Sequence, residues 1–155
     1  MTLSALNEQH VLLVADENDG HPVDEPVHVV PVRGNVYRVL FTPGLVYDIA
    51  ADDEIELLGD GRFKVVLRGQ NLAVRVFSQL PIAEWSGLLE REVGSLCGRL
   101  DGQVEQGLAF TIPVRAGFKA VEAVFNRFIE AHPGCTWEYG NVYDEDDRPL
   151  GWWSS

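Results

Sequence analysis

Residues 69–100, GQNLAVRVFSQLPIAEWSGLLEREVGSLCGRL, contain the change of period that decides the fold. Up to Phe77 the apolar residues alternate: Leu72, Val74 and Val76 share one face and Arg75 points away, the mark of a strand. After Pro81 they recur at three- and four-residue steps. Trp85, Leu89, Val93, Leu96 and Leu100 line one face of an amphipathic helix, expected to end at Asp101-Gly102.

Upstream of this switch the chain is strand-rich. Val11–Ala15 reads as a buried strand ending in the turn Asp16-Glu17-Asn18-Asp19-Gly20, and Met1–His10 as a loose lead-in. Pro22 and Pro26 keep the next stretch extended or looped. His28–Arg33 and Val36–Phe41 flank the turn pair Gly34-Asn35, as in a hairpin. Thr42-Pro43-Gly44 breaks the pattern. Asp53–Leu58 and Arg62–Arg68 flank Gly59-Asp60-Gly61, and Gly69-Gln70-Asn71 turns into Leu72–Phe77. Strands at this spacing fit a small curled sheet or barrel.

Downstream, Leu108, Phe110, Ile112 and Val114 alternate as a strand, with Pro113 placing its end at an edge. Phe118, Val121, Phe125 and Phe128 mark a second helix stopped by His132-Pro133-Gly134, and Trp137 and Tyr139 a final strand. The expected fold is α+β. A strand-rich lobe over residues 1–80 precedes an α/β lobe over residues 81–155 with two helices and three strands, ferredoxin-like in style, the two sharing one core. Three strands are too few for a doubly wound parallel sheet.

A chain of 155 residues suits one domain or two small lobes. Its apolar fraction of 46% and charged fraction of 23% are those of a soluble globular protein. Met1–His10 has no basic residue, Val11–Ala15 is too short for a signal core, and no stretch approaches the roughly 20 apolar residues of a membrane span. A cytoplasmic protein is expected. Cys97, near the packed face of its predicted helix, reads as core. Cys135 follows a Pro-Gly turn, and both are expected to be reduced.

The net charge of −12 is concentrated at the ends. Residues 1–32 hold Glu8, Asp16, Glu17, Asp19, Asp24 and Glu25 and no Lys or Arg. Near the C-terminus, Asp144, Glu145, Asp146 and Asp147 stand against Arg148 alone. Residues 33–80 balance acid and base. Such ends repel nucleic acid and anionic lipid and attract basic surfaces.

Four motifs carry a family resemblance: Tyr37-Arg38-Val39, Thr42-Pro43-Gly44, Asp52-Asp53-Glu54-Ile55 and Gly69-Gln70-Asn71-Leu72-Ala73-Val74-Arg75. With them, the segment Val27–Phe77 resembles an uncharacterised bacterial family, the domain of unknown function 4265. The likeness extends to Leu108–Pro113 and the helix after it. The resemblance implies no activity and no cofactor.

No constellation of catalytic type appears. His10, His21 and His28 share a stretch with Asp19, Asp24 and Glu25, but the spacings match no compact ligand motif, so no metal site is assigned. Asp16–Gly20 lacks the glycine and glutamate of a calcium loop. There is no Gly-x-Ser-x-Gly elbow, and Cys135 beside His132 is the one thiol with a nearby base. Gly59-Asp60-Gly61 is a hairpin turn rather than a phosphate loop. Arg33, Arg38, Arg62, Lys64, Arg68 and Arg75 are offset by six acids in the same segment, which argues for cross-strand pairing over nucleic-acid binding.

Two functional readings follow. In the first, the chain is a non-catalytic protein-binding module, in one concrete form an immunity or antitoxin-like inhibitor of a basic, nucleic-acid-degrading partner. Asp144, Glu145, Asp146, Asp147, Trp152 and Trp153 are then the partner-binding residues, followed by Asp16, Glu17 and Asp19. In the second, an enzyme or small-ligand binder works from a carboxylate-lined cleft between the halves, with Asp52, Asp53 or Glu54 as its groups.

Overall fold

Strands β1 (Gln9–Asn18), β2 (His21–Arg33), β3 (Val36–Val39), β4 (Glu54–Gly59) and β5 (Arg62–Leu67) form an antiparallel meander in chain order. The computed structural model describes residues 8–18 and 21–154. Register shifts interrupt the pairing at Val14/Asp16, Pro31/Arg33, Glu54/Ile55 and Leu57/Gly59. Each bulge adds local twist. The sheet curls until its two edges touch at one end, where the Val14 N–H donates to the Gly61 carbonyl at 3.0 Å. Gly61 permits this: its φ is +76°, and a Cβ there would stand 2.9 Å from Val14 Cγ2. The sheet is curled but not closed into a barrel.

The second sheet holds β6 (Asn71–Ser78), β7 (Arg99–Val104), β8 (Gly107–Pro113) and β9 (Cys135–Tyr139) in the order β7-β8-β6-β9, every pair antiparallel. Helix α1 (Ala83–Gly94) links β6 to β7, and α2 (Phe118–Ala131) links β8 to β9. Both cover one face. Leu72, Val74 and Val76 of β6 and Phe110 and Ile112 of β8 are buried there with Leu89, Val93, Val121 and Phe125 of the helices. The fold is thus α+β with two helices and two antiparallel sheets.

The connection between β3 and β4 seals the first sheet onto the second. Val46 and Ile49 join the core of the first sheet, which includes Leu13, Val27, Val29, Val39 and Ile55. Polar pins cross to the second sheet. Thr42 Oγ1 lies 2.7 Å from Thr111 Oγ1, the Thr42 N–H donates to Asp101 Oδ2 at 2.8 Å, and Asn71 Nδ2 donates to the Ala51 carbonyl at 3.0 Å.

Four expectations are corrected. Leu72–Phe77 does not extend the first sheet. It lies inside the second, and the unexpected strand Arg99–Val104 at that sheet's edge brings the second sheet to four strands and not three. The first helix stops at Gly94, because the chain turns left-handed at Cys97 (φ +64°) and re-enters a sheet at Arg99, so Leu100 sits on a strand. That same turn leaves Cys97, expected in the core, exposed, while Cys135 is buried. Strand β1 also runs on through Asp16 and Glu17, whereas Met1–Asn7, Asp19 and Gly20 lie outside the described residues. No helix among the described residues is long and apolar enough to cross a membrane.

Candidate functional site

A cleft of about 1400 Å³ opens between β9, the end of the chain and residues 47–48 of the sealing segment. Its lining includes Asp144, Glu145, Asp146 and Asp147, joined by Asp48, Glu122 and Glu138 from three distant elements. Tyr47, Trp137, Tyr139 and Tyr143 supply aromatic faces, and Val14, Ala15 and Leu150 complete it. None of these residues carries a positive charge.

Tyr47 and Asp48 are presented by a strongly braced segment. The Glu25 carboxylate accepts three successive backbone N–H groups, from Gly44, Leu45 and Val46, at 2.8–2.9 Å. Asp48 has φ +77°. It is held there by its N–H donating to the Gly140 carbonyl at 2.8 Å and by Arg68, whose Nη1 donates to its carbonyl and Nη2 to its Oδ1, each at 2.6 Å. Arg68 also reaches buried Asp53, which accepts from the Gly69 and Ala50 N–H groups at 2.8 and 3.0 Å. Burial pushes the Asp53 carboxyl up to about 6, against the opposing pull of those two N–H groups and Arg68.

Beneath the wall formed by Tyr47 and Glu138 lies Arg75, 1% exposed. It stands opposite Glu138 in the β6–β9 ladder. Its Nη1 donates to the Val46 carbonyl at 3.2 Å, and its guanidinium carbon sits 4.3 Å from the centre of the Tyr47 ring. The Tyr47 hydroxyl donates to Glu138 Oε1 at 3.1 Å. Arg75 Nη2 approaches Glu138 Oε2 to 3.2 Å, yet that pair is off-axis, and Arg75 Nε has no hydrogen-bond partner. Burial draws the guanidinium below its ordinary value while Glu138 pushes it back. Gly140 leaves the room: a Cβ there would meet Arg75 Nη2 at 3.1 Å. On the helix side, Tyr139 donates to Glu122 Oε2 at 3.0 Å, and burial, then that carboxylate, holds its phenol well above the ordinary value.

The four-carboxylate run is an ordered turn. Asp144 Oδ1 accepts from the Asp146 and Arg148 N–H groups at 2.8 and 3.0 Å, and Tyr143 bridges to Pro149. This brings Asp144–Asp147 into the cleft, but not Trp152 and Trp153. Both tryptophans are half-buried against the second core. Trp152 Nε1 donates to the Asn141 carbonyl at 2.8 Å, and Trp153 packs edge-on against Phe118 at 5.0 Å. Among the other candidates, Asp16 and Glu17 end β1 and Asp19 lies outside the described residues.

Asp52, Asp53 and Glu54 do not line the cleft: Asp53 is enclosed, and Glu54 faces Arg33 at 3.4 Å. His10 and His28 stand opposite each other across β1 and β2 with rings 4.1 Å apart, and Glu8 reaches His28 Nδ1 at 2.9 Å. Among the described residues no cluster of three or more His, Cys, Asp or Glu has metal-binding geometry. Asp48, Glu122 and Glu138 were not singled out from the sequence; isolated carboxylates on a loop, a helix and a strand give no local signal.

Comparison with known proteins gives a family and a fold. The family described as "Domain of unknown function (DUF4265)" matches residues 25–137. No curated protein matches the chain. A solved structure, that of a hypothetical protein from Neisseria gonorrhoeae, superposes with a TM-score of 0.69 at 12% identity, covering 86% of this chain and 94% of that one. At that identity the likeness shows the fold alone.

Proposed function

The chain belongs to the DUF4265 family, and from that premise we propose that it is a non-catalytic binding module whose acidic cleft captures a basic protein. One observation carries the reading: a cavity of about 1400 Å³ is bordered by seven carboxylates and four aromatic rings with no basic side chain among them. Arg75 offsets Glu138 and Arg68 offsets Asp48 from behind, which leaves the surplus of negative charge with Glu122 and Asp144–Asp147. Carboxylates set around tyrosine and tryptophan faces suit Lys and Arg side chains, which gain ion pairing and cation–π contact together. The summed field speeds encounter with a cationic surface and opposes nucleic acid and anionic membranes.

An immunity-type inhibitor, placed in the cytoplasm and occupying the cationic cleft of a nucleic-acid-degrading toxin, is the concrete form we favour. Asp144, Glu145, Asp146 and Asp147 are its contact residues, with Asp48 and Glu122 beside them. Trp152 and Trp153 act by anchoring the tail. We further read the second sheet as ferredoxin-like. Its order β7-β8-β6-β9, with a helix in each crossover, supports that reading.

The test is fluorescence anisotropy with a labelled alternating Lys-Thr octapeptide and a Glu-Thr control at low and high salt. Binding of the Lys peptide alone, weakened at least ~10-fold between 50 and 500 mM salt by screening, is the expected result. It should weaken by a similar factor in the Glu145→Gln/Asp146→Asn/Asp147→Asn variant. Equal binding by wild type and variant, or none at low salt, would overturn the reading.

A further inference from the structure

We propose that the partner enters the cleft as an extended basic segment and adds to the open edge of β9 as a fifth strand of the second sheet. The inference rests on the reading of the cleft as a site for a basic protein and adds the backbone geometry of capture.

Three consecutive residues of β9, Trp137, Glu138 and Tyr139, border the same cavity. Successive strand side chains point to opposite faces of a sheet. A cavity on one face would meet alternate residues only, so this one runs along the strand's edge. That edge is open. Strand β9 lies at the end of its sheet and pairs with β6 alone. The Gly140 N–H donates to the Ala73 carbonyl at 2.8 Å, toward β6. By the two-residue alternation of an antiparallel ladder, Glu138 also faces β6, and the N–H and C=O groups of Trp137 and Tyr139 face the cleft.

The molecule treats its other edges differently. Strand β1 bulges at Val14/Asp16 and is tied to the β5 end through Val14 and Gly61. Strand β5 has two register shifts against β4 and carries Arg62 and Lys64, while β7 bulges at Leu100/Gly102. Bulges and edge cations are the usual obstacles to strand addition. The pairing of β9 shows no register shift, and its sequence, Cys-Thr-Trp-Glu-Tyr, holds no Lys, Arg or Pro.

Charge selects the occupant. Glu122 flanks the edge on the side of Tyr139, and Asp48 and Glu138 flank it on the side of Tyr47. A basic residue on either face of an added strand therefore meets a carboxylate, with the weaker pull on the Tyr47 side, where Arg68 backs Asp48 and Arg75 backs Glu138. Main-chain bonding supplies affinity and the two flanks supply selectivity, as in strand-addition recognition generally.

The experiment compares the Lys-Thr octapeptide with the same peptide N-methylated at alternate residues, in each of the two registers, by anisotropy and by amide hydrogen exchange. N-methylation keeps every charge and blocks edge bonding. We expect one methylated register to bind at least ~10-fold more weakly than the parent while the other binds within ~3-fold of it, loss of a few ladder bonds being sufficient for that factor. We also expect the parent peptide to slow exchange at the Trp137 and Tyr139 amides. If both methylated peptides bind like the parent, with no protection at those amides, strand addition is overturned while the acidic cleft stands as a binding site. If no peptide binds at low salt, the cleft reading itself fails and this inference falls with it.

Discussion

The two walls of the cleft are held in opposite ways. The wall at residues 44–48 is braced from behind by Glu25, Arg68 and Arg75, with Asp53 locked into the same network. The wall at residues 144–147 is held by its own turn, and its side chains are exposed. One wall sets the shape and the other supplies the field. Stability and binding should therefore separate by mutation, since buried satisfied groups dominate stability while exposed charges contribute little to it.

The largest effect is expected at Arg75. Arg75→Met removes the bond to the Val46 carbonyl and the cation beneath Tyr47. It also strands Glu138, whose partial exposure moderates the penalty. We expect a loss of about 3 kcal/mol, near the lower end for a broken buried pair, read by urea unfolding. A loss below about 1 kcal/mol would mean the braced wall does not depend on its buried guanidinium.

Asp53 makes the bracing pH-dependent. Its folded pKa, about 6, lies above the ordinary 3.8, so the folded state holds a proton that the unfolded state has released. The contribution is full below 3.8 and lost as pH rises through about 6, a change of order 2–3 kcal/mol for a shift of this size. Unfolding free energies of wild type and Asp53→Asn across that window check the sign. The difference between them should change steeply there, and parallel profiles would remove Asp53 as the source.

Glu25→Ala leaves three N–H groups without their carboxylate, for about 1–2 kcal/mol. Loosening of Tyr47 should also weaken the Lys-Thr peptide, which links the braced wall to binding. The smallest stability effect belongs to the exposed wall. Glu145→Gln/Asp146→Asn/Asp147→Asn should shift unfolding by less than about 0.5 kcal/mol while abolishing most peptide affinity. A large stability loss in that variant would erase the distinction between the walls.

How much of this was legible follows the same division. Strands β6 and β8 and helix α2 were read from periodicity because each buries one regular stripe. Strand β7 was hidden because Leu96 and Leu100 prolong the helical spacing past Gly94, and nothing local announces the left-handed turn at Cys97. The assignment of β6 to the second sheet was equally invisible, since alternation gives a strand's faces but not its neighbours. The carboxylates 144–147 were found because they are contiguous. Asp48, Glu122 and Glu138 come from a loop, a helix and a strand, and only the packing of that loop and helix around β9 collects them. The sequence sets the tryptophans beside those carboxylates, and only the fold parts them, because Asn141 offers Trp152 a carbonyl.

The unblunted edge of β9 has a further consequence, for crowding. A flat, unpaired strand end invites its own twin, and proteins that leave one bare tend to stack. Here each twin would arrive carrying the same ring of carboxylates, and like charges brought together oppose the contact. At neutral pH and low salt that repulsion works against self-pairing at this edge. The proposed basic strand meets no such repulsion.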